Sequence, residues 1–501
     1  MREPGGSVLR LLIGALVPTL LGLTAVAGLA PAAGSTSAAD STPTTGSVRW
    51  EQGLERALSV RALRGARVAA IVVRENDGEV LFARDPDRAL VPASNLKILT
   101  AIAALDAFGP SHRFVTRFAS EAPPDAAGRL QSLFVQGGGD PVLNSEDWWQ
   151  IASQLREAGV REIQGDLVLD ASAFDGQRWH PKWGRTSSRA YHAPVAGLTA
   201  NYGAFKVVVR PGEHPGDAVP VAIDPPVDHL RVSNRARTGE ANARRSLVID
   251  RVAGAVGEHV LVEGVLPAGA APVAVHRSVL DPVAYAGSLL RWQLASQGIL
   301  VGGRVRVGPA PANAREILAF PGRALSEIVR LFLKYSNNQV AEALVKAQSR
   351  RVDSRPGNWP TGLLAQRRQL EEAGLWAPGA RIVDGSGLGY GNRLTPRMLA
   401  EALVYASDSF RFGPEFRAAL PIAGRDGTLE ERGEEAPGQV RAKTGLLTRV
   451  VALSGFARSP TGEERIFSIL VNGYRGSDEA AMDAVDGFAA AVAGEPAAPL
   501  R

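Results

Sequence analysis

Strand patterns near both ends of the chain constrain the fold most. They are separated by a long stretch with a different pattern of predicted strands and helices. Near the N-terminus, "RVAAIVVREND" predicts a strand and "NDGEVLFARDP" predicts a turn into a second strand. Near the C-terminus, "RVVALSGFA" and "ERIFSILVNGY" predict two antiparallel strands joined by the "SPTGE" turn. The chain has 501 residues, too many for one ordinary core. The pattern therefore predicts one α/β domain that is interrupted by an insertion.

The middle of the chain predicts mainly short strands between Gly/Pro turns. Examples are "LQSLFVQGG", "GDLVLDAS", "AFKVVVRPG" and "HVLVEGVLPAG", and "EDWWQIASQLREAG" is the main helical exception. Helical patterns return from about residue 280, as in "ALSEIVRLFLKY" and "NQVAEALVKAQSR". We therefore predict a main domain in two parts, residues 51–109 and 276–490, around an inserted β-rich domain or domains at 110–275, with a tail at 491–501.

The first fifty residues predict export. Two arginines precede a long uncharged, apolar stretch that ends in small residues, with two Ala-x-Ala cleavage sites between residues 25 and 32. A retained membrane anchor is the alternative, because the run is long enough to span a bilayer, but Pro18 and the Ala-rich exit favour cleavage. We predict a signal peptide at 1–33, a linker at 34–50 and no membrane span after cleavage. The expected location is the periplasm, the cell envelope or the extracellular space.

Composition excludes several classes of function. The chain has no cysteine, which rules out disulfides, thiolate metal sites and a cysteine nucleophile. The net charge is +5, but basic and acidic residues are mixed and no basic stripe carries interleaved aromatics, which argues against nucleic acid as a partner. There is no His-Glu-x-x-His motif, so neither a metal nor another cofactor is predicted.

The stretch "PASNLKILT" places Ser94 and Lys97 three residues apart at the start of an apolar helix, one face of which is predicted to be buried. A serine needs an adjacent base to become a nucleophile, and a desolvated lysine can serve. The helix N-terminus also offers amide N–H groups to an anion forming at Ser94. The alternative is that Ser94 caps the helix while Lys97 faces solvent, and this motif alone favours that interpretation.

Two further motifs favour the catalytic interpretation of Ser94 and Lys97 over the structural one. "KYSNNQ" places Ser336 and Asn338 in a loop between two predicted helices, and "RAKTGLL" places Lys443 at the start of a predicted strand. Ser-x-x-Lys, Ser-x-Asn and Lys-Thr-Gly in this order are the signature of penicillin-binding proteins and serine β-lactamases. The chain has only six lysines, and two of them fall inside these motifs. Coincidence is therefore a poor explanation.

The positions of the histidines also favour a mechanism without a histidine base. All seven lie between His112 and His276, and none occurs in the part of the chain that carries Ser336 and Lys443. There is also no Gly-x-Ser-x-Gly motif, so a Ser-His-Asp hydrolase is poorly supported. Lys97 is the remaining candidate for the base.

The chain resembles the D-alanyl-D-alanine carboxypeptidase/endopeptidase family, the class C low-molecular-mass penicillin-binding proteins. The resemblance spans about residues 50–490 and includes "GGGDPVL", "YHAPVAGLTANYGAFKVVVRPG", "VDGSGLGYGNRLTP" and "AGRDGTLEER". Ser336 follows Ser94 by 242 residues, which fits a family with inserted domains there. The resemblance implies an α/β (α+β) fold of the serine β-lactamase and penicillin-binding transpeptidase type, with an antiparallel sheet flanked by helices and inserted β-rich subdomains. The main domain would then be catalytic.

The resemblance also implies catalytic roles. Ser94 would be the acyl-enzyme nucleophile, Lys97 its general base, and Ser336 the relay of the proton to the leaving amine. The pKa of Lys97 must then fall, and we expect both desolvation and the positive charge of Lys443 to lower it.

The substrate-binding roles follow from the same resemblance. Asn338 would hold the substrate backbone, and Lys443 and Thr444 would bind its terminal carboxylate. Gly445 would let the substrate approach closely, and the backbone N–H groups of Ser94 and Leu446 would form the oxyanion hole.

The chain departs from the family pattern at two positions. Leu446 follows Lys-Thr-Gly where Thr or Ser is frequent, and Gly389 stands where Ser is frequent. Neither departure removes a catalytic group, but both bear on substrate affinity.

The expected partners are peptidoglycan peptides ending in D-Ala-D-Ala and β-lactam antibiotics. Two alternatives stay open. A serine β-lactamase or esterase on the same fold would need fast deacylation, which no residue pattern establishes. A catalytically inactive wall-binding protein predicts the loss of a motif lysine, whereas both are present.

Overall fold

The computed structural model describes residues 45–353 and 355–494, with side chains from Trp50 onward. The predicted signal peptide and most of the predicted linker lie outside the described residues. Twenty-one strands are described, and they are numbered in chain order: β1 Arg67–Arg74, β2 Val80–Arg84, β3 Arg113–Ser120, β4 Arg129–Leu130, β5 Leu133–Gln136, β6 Glu162–Ile163, β7 Leu167–Asp170, β8 Ala204–Val209, β9 Val221–Asp224, β10 Leu230–Asn234, β11 Arg237–Gly239, β12 Val248–Ala253, β13 Glu258–Glu263, β14 Val265–Pro267, β15 Val273–Ser278, β16 Leu300–Val301, β17 Val305–Val307, β18 Arg315–Ala324, β19 Val440–Leu447, β20 Val450–Arg458 and β21 Glu464–Asn472.

The described residues also form ten α-helices, numbered in the same way: α1 Thr45–Leu58, α2 Leu96–Phe108, α3 Ser145–Glu157, α4 Pro282–Ser296, α5 Leu325–Tyr335, α6 Asn338–Val352, α7 Trp359–Glu372, α8 Pro396–Asp408, α9 Gly413–Ala419 and α10 Asp478–Ala493. None of these described helices is long and apolar enough to cross a membrane. Helix α1 begins inside the predicted linker, and α10 extends past the predicted start of the tail.

The two ends of the described chain meet in one antiparallel sheet with the order β19-β20-β21-β1-β2. Strand β1 pairs with β21 along its whole length, from Arg67 opposite Asn472 to Arg74 opposite Arg465. Strands from opposite ends of the described chain thus share one sheet, as expected for an α/β domain that is interrupted by an insertion. Because side chains alternate along a strand, β1 contributes to two cores. Ala69, Ile71 and Val73 pack in the core with α2 and α5–α9, whereas Val68, Ala70 and Val72 pack in the core with α1 and α10.

Helix α2, which follows the Ser94 turn, is more deeply buried than its sequence pattern predicts. Every residue from Leu96 to Leu105 is buried, whereas the pattern predicted one buried face. The helix contacts α5, α6, α7 and α8, so neighbours cover it on several sides. A helix that is apolar all round is typical of a core position, and this position removes the first turn of α2 from solvent.

The inserted region forms sheets of its own. Two of them, β17-β7-β5-β3-β18 and β16-β6-β4, stand beside α3 and α4. Three smaller sheets follow the orders β15-β8-β9, β10-β13-β12 and β11-β14. Among the described strands, none of these pairs with the central sheet. The sheets of the inserted region are therefore separate from the central sheet. Its first part contains both helices and strands and is not purely β-rich.

The inserted region ends later than the predicted boundary at residue 275. Strand β18 pairs with β3, nearly 200 residues earlier in the chain, so the inserted elements run to Ala324. Helix α4 and strands β16 and β17 also belong to this region by their contacts. The helical pattern after residue 280 predicts a helix but not its domain, because periodicity carries no information about the partner that a helix packs against.

Candidate active site

Ser94 lies in a 3₁₀ turn, Ala93–Asn95, immediately before α2. The preceding Ala93 has φ +47°, a left-handed conformation that a residue with a Cβ rarely adopts. Gly387 packs against this turn so closely that an added Cβ would lie 1.9 Å from the Ala93 carbonyl oxygen. Strained backbone of this kind persists where the surrounding structure enforces it, and functional sites are common places for it. Ser94 is thus presented by a turn that its neighbours hold fixed.

Lys97 occupies the first turn of α2 and is fully buried, which excludes the interpretation that it faces solvent. Its Nζ lies 2.9 Å from Ser94 Oγ, 2.6 Å from Asn338 Oδ1 and 2.7 Å from the Ser386 carbonyl oxygen. The amide and carbonyl oxygens can only accept hydrogen bonds. A neutral amine has two N–H groups, so it can donate to those two oxygens and accept the hydroxyl proton of Ser94. The contacts therefore suit Lys97 as a base.

The pKa of Lys97 is lowered, as predicted, but the causes of the shift differ in part from those predicted. Burial lowers the pKa of Lys97 to about 7, while the negative charges of Asp384 and Glu342 oppose that shift. The predicted electrostatic effect between the two lysines lowers the pKa of Lys443, not that of Lys97. Burial and then the charge of Lys97 hold the pKa of Lys443 well below its usual value. The motifs around Lys97 in the sequence do not indicate these two carboxylates as its neighbours.

Glu342 and Asp384 are fully buried behind Lys97. Glu342 follows Asn338 by one turn of α6, and its Oε1 accepts hydrogen bonds from the backbone N–H groups of Gly385 at 3.0 Å and Ser386 at 2.9 Å. Burial and the charge of Asp384 raise the pKa of Glu342 to about 8. The carboxylate thus orients the peptide units that carry the Ser386 carbonyl, which Lys97 contacts. A single acidic residue in the apolar run "VAEALV", four residues after Asn338, was the available signal.

Asp384 secures the other end of the same loop. Its carboxylate accepts hydrogen bonds from the backbone N–H groups of Gly387 at 2.7 Å and Gly389 at 2.6 Å, and from Asn392 Nδ2 at 3.1 Å. A Cβ at Gly389 would lie 2.5 Å from Asp384 Oδ2. This contact accounts for glycine at a position where the family often has serine.

Ser336 and Lys443 form the second half of the site. Ser336 ends α5 with φ +56°, and its Oγ accepts a hydrogen bond of 2.9 Å from Lys443 Nζ. Lys443 also donates to the Thr444 carbonyl oxygen at 2.8 Å. Strand β19 begins at Val440, so the Lys-Thr-Gly motif lies within the strand and not at its start. The edge position of β19 in the central sheet leaves this motif beside the Ser94 turn.

The remaining predicted residues surround these two halves. Thr444 Oγ1 lies 2.7 Å from Thr428 Oγ1, and Leu446 is 45% exposed. A Cβ at Gly445 would lie 2.9 Å from the Pro92 carbonyl oxygen, so this glycine lets β19 approach the protein's own Ser94 turn. Asn338 Nδ2 donates to the Tyr191 carbonyl oxygen at 2.9 Å, so the inserted region also supports the site.

Comparison with known proteins identifies the relatives of this chain. The sequence matches the D-Ala-D-Ala carboxypeptidase 3 (S13) family over residues 51–492. It is 38% identical over 445 residues to the D-alanyl-D-alanine carboxypeptidase of Actinomadura sp. (strain R39), an alignment that covers 85% of this chain and 81% of the relative.

Solved structures support the same relationship. Penicillin binding protein 4 from Haemophilus influenzae matches with a TM-score of 0.75 at 25% identity, covering 88% of this chain and 98% of that one. The structure of that protein complexed with a β-lactam matches with a TM-score of 0.70, at the same identity and coverage. These matches confirm the predicted fold class. The chain belongs to the D-Ala-D-Ala carboxypeptidase 3 (S13) family and is a serine-type carboxypeptidase.

Proposed function

We propose that the protein hydrolyses peptidoglycan stem peptides ending in D-Ala-D-Ala, and D-alanyl cross-links between them, through an acyl-enzyme on Ser94. One observation carries the assignment of roles: the buried Lys97 amine lies 2.9 Å from Ser94 Oγ, and its other two contacts are oxygens that cannot donate. Ser94 is therefore the group that can give Lys97 a proton. Serine nucleophiles require such a neighbouring base.

In acylation, Ser94 Oγ bonds to the carbonyl carbon of the penultimate D-alanine, and Lys97 accepts the hydroxyl proton. The backbone N–H groups of Ser94 and Leu446 stabilise the oxyanion. When the C–N bond breaks, the Ser336–Lys443 pair delivers a proton to the leaving amine and takes up the proton held by Lys97, which is then neutral again. Their hydrogen bond of 2.9 Å provides a direct route for it.

In deacylation, a water molecule attacks the ester carbonyl carbon and gives its proton to Lys97. The bond to Ser94 Oγ breaks, and Lys97 returns this proton to the serine oxygen, which regenerates the free enzyme. One peptide bond and one water molecule are consumed, and one carboxyl group and one amine are formed. No step needs a metal or another cofactor.

Substrate binding changes the charge of Lys443. Burial holds the pKa of this lysine well below its usual value in the substrate-free site. A terminal carboxylate bound at Lys443 and Thr444 supplies a negative charge that raises that pKa again. Substrate would thus charge the group that delivers the proton to the leaving amine. Asn338 and the outer edge of β19 would align the peptide backbone as an added strand.

The proposal also includes binding of β-lactams by the enzyme and its export from the cytoplasm. The Haemophilus influenzae relative has been crystallised with a β-lactam, which supports acylation of Ser94 by penicillin in this chain. Export through an N-terminal signal peptide at residues 1–33, to the periplasm or cell envelope, would place the enzyme beside its substrate.

The decisive experiment incubates the mature protein with muropeptides ending in D-Ala-D-Ala and measures the released D-alanine. In parallel, intact-protein mass spectrometry follows the reaction with penicillin. We expect one added drug mass in the wild type, none in Ser94→Ala, and no D-alanine release by that variant. A penicillin adduct that persists in Ser94→Ala would contradict the assignment, and rapid loss of the wild-type adduct would favour a β-lactamase.

A further inference from the structure

A cleft of about 650 Å³ opens beside the Ser336 loop. One wall comes from the catalytic domain and includes Leu331, Tyr335 and Asn337. Tyr335 and Asn337 are the two chain neighbours of Ser336, and the Tyr335 side chain is 69% exposed. The volume lies within the range of about 300–1,000 Å³ that is typical of ligand clefts. It is far larger than a single alanine needs, although alanine is the only leaving group of the carboxypeptidase reaction.

The opposite wall carries a row of charged and titratable side chains on sheet β15-β8-β9. The strand register pairs His276 with Lys206, and Lys206 with Asp224. Residues directly opposite each other in antiparallel strands project on the same face, and all three residues line the cleft. The wall therefore presents an imidazole and an ammonium group next to a carboxylate.

This row is not neutralised by the protein itself. Across residues 45–353 and 355–494, neither the Lys206 ammonium nor the Asp224 carboxylate has a hydrogen-bond or ion-pair partner. Elsewhere in the inserted region opposite charges are paired, as in Arg178 with Asp281 at 3.0 Å. An ammonium group and a carboxylate held side by side without mutual contact suit a ligand that carries both a carboxylate and N–H donors, as a peptide does.

We propose that this cleft binds the leaving half of a cross-linked substrate, namely a second stem peptide. Its carboxylate would contact Lys206 and His276, and its backbone N–H groups would donate hydrogen bonds to Asp224. The inference rests on the proposed function, in which the leaving amine departs at Ser336. In cross-link cleavage that amine belongs to the side chain of a whole peptide, and the cleft begins at the two residues flanking Ser336.

The bond broken and the proton transfers are those of the carboxypeptidase reaction. The cleft adds binding of the leaving peptide alone, so it selects cross-linked dimers without altering the chemistry at Ser94. The substrate class that it favours is a peptide dimer joined from D-alanine to the side-chain amine of a diamino acid.

The test compares two substrates with one double variant, Lys206→Ala/Asp224→Asn. The substrates are a muropeptide monomer ending in D-Ala-D-Ala, assayed by D-alanine release, and a D-alanyl cross-linked muropeptide dimer, assayed by monomer formation. We expect kcat/KM on the dimer to fall about tenfold, the size expected for loss of a charge-assisted hydrogen bond. We expect D-alanine release to stay within about twofold of wild type, which also shows that the variant folds.

The matched control is Arg235→Ala/Glu263→Gln, which removes an exposed ion pair of the same region that does not line the cleft. It should leave both activities unchanged. Unchanged dimer cleavage in the Lys206/Asp224 variant, or an equal fall on both substrates, would overturn the inference. Wild-type protein that releases D-alanine but cannot cut the dimer would overturn the inference and the cross-link cleavage in the proposed function, while the carboxypeptidase activity stands. If wild type and Ser94→Ala act alike on both substrates, the proposed function fails and the inference fails with it.

Discussion

The two halves of the active site each centre on a fully buried lysine, yet the surroundings of the two lysines differ in charge. Lys97 has the carboxylates of Glu342 and Asp384 nearby, and burial lowers its pKa to about 7. Burial holds the pKa of Lys443 well below the usual value, and the charges of Lys97 and Arg432 add to that effect. Equal burial with unlike neighbours thus produces two different groups. Carboxylates oppose the fall of the first pKa, whereas positive charges add to the fall of the second, which suits the proposed roles of base and carboxylate-binding group.

The largest effect should come from Lys97→Arg, which keeps a positive charge in the first half but cannot accept a proton near neutral pH. We expect penicillin acylation to slow by about 10²- to 10⁴-fold, the usual contribution of a general base. Stopped-flow or quenched-flow mass spectrometry would measure the rate, with circular dichroism as the test of folding. Replacing each of the seven histidines in turn is the control and should leave the rate nearly unchanged. An active Lys97→Arg, or a folded histidine variant that no longer acylates, would refute the lysine base.

Lys443→Ala tests the second half. We expect kcat/KM on a peptide ending in D-Ala-D-Ala to fall about 100-fold, because the variant loses both the carboxylate contact and the partner of Ser336. A thioester substrate without a terminal carboxylate should lose much less. Equal losses on the two substrates would show that Lys443 does not bind the carboxylate, and the contrast between the two halves would disappear.

Glu342→Gln tests whether the carboxylates set the difference between the lysines. The ionised form of Glu342 raises the pKa of Lys97, but the pKa of Glu342 is itself about 8, so the group is only partly ionised near neutral pH. Its removal should therefore lower the pKa of Lys97 modestly and shift the acid limb of the acylation profile to lower pH. A shift of about one pH unit corresponds to about 1.4 kcal/mol. An unmoved limb together with a reduced rate would mean that Glu342 only holds the Ser386 loop.

Leu446→Thr should have the smallest effect. It restores the hydroxyl that the family often has after Lys-Thr-Gly, at a side chain that is 45% exposed. We expect KM for a D-Ala-D-Ala peptide to fall about two- to fivefold with kcat unchanged, because an exposed hydrogen bond contributes little. A change in kcat instead would place this side chain in the second half of the reacting site.

Local patterns explain what the sequence predicted well. Ser94 and Lys97 are three residues apart, and the β1, β2, β20 and β21 strands are visible as short apolar runs, so their arrangement follows from spacing and alternation. What escaped prediction depends on partners far along the chain. Glu342 acts through a loop more than 40 residues later, and β18 belongs to β3. The left-handed conformation of Ala93 also depends on its contact with Gly387, which no spacing encodes.

The central claim is that Lys97 removes the proton from Ser94, and the pH dependence of the penicillin acylation rate tests it most directly. The base is active when neutral, so the rate should be low below the pKa and should rise with pH to a plateau. With the pKa of Lys97 at about 7, we expect a half-maximal rate near pH 7 and a tenfold decrease per pH unit below it. The limb should persist when the histidines are replaced. A rate that is independent of pH between 5 and 9, or a limb that vanishes with one histidine, would contradict the account.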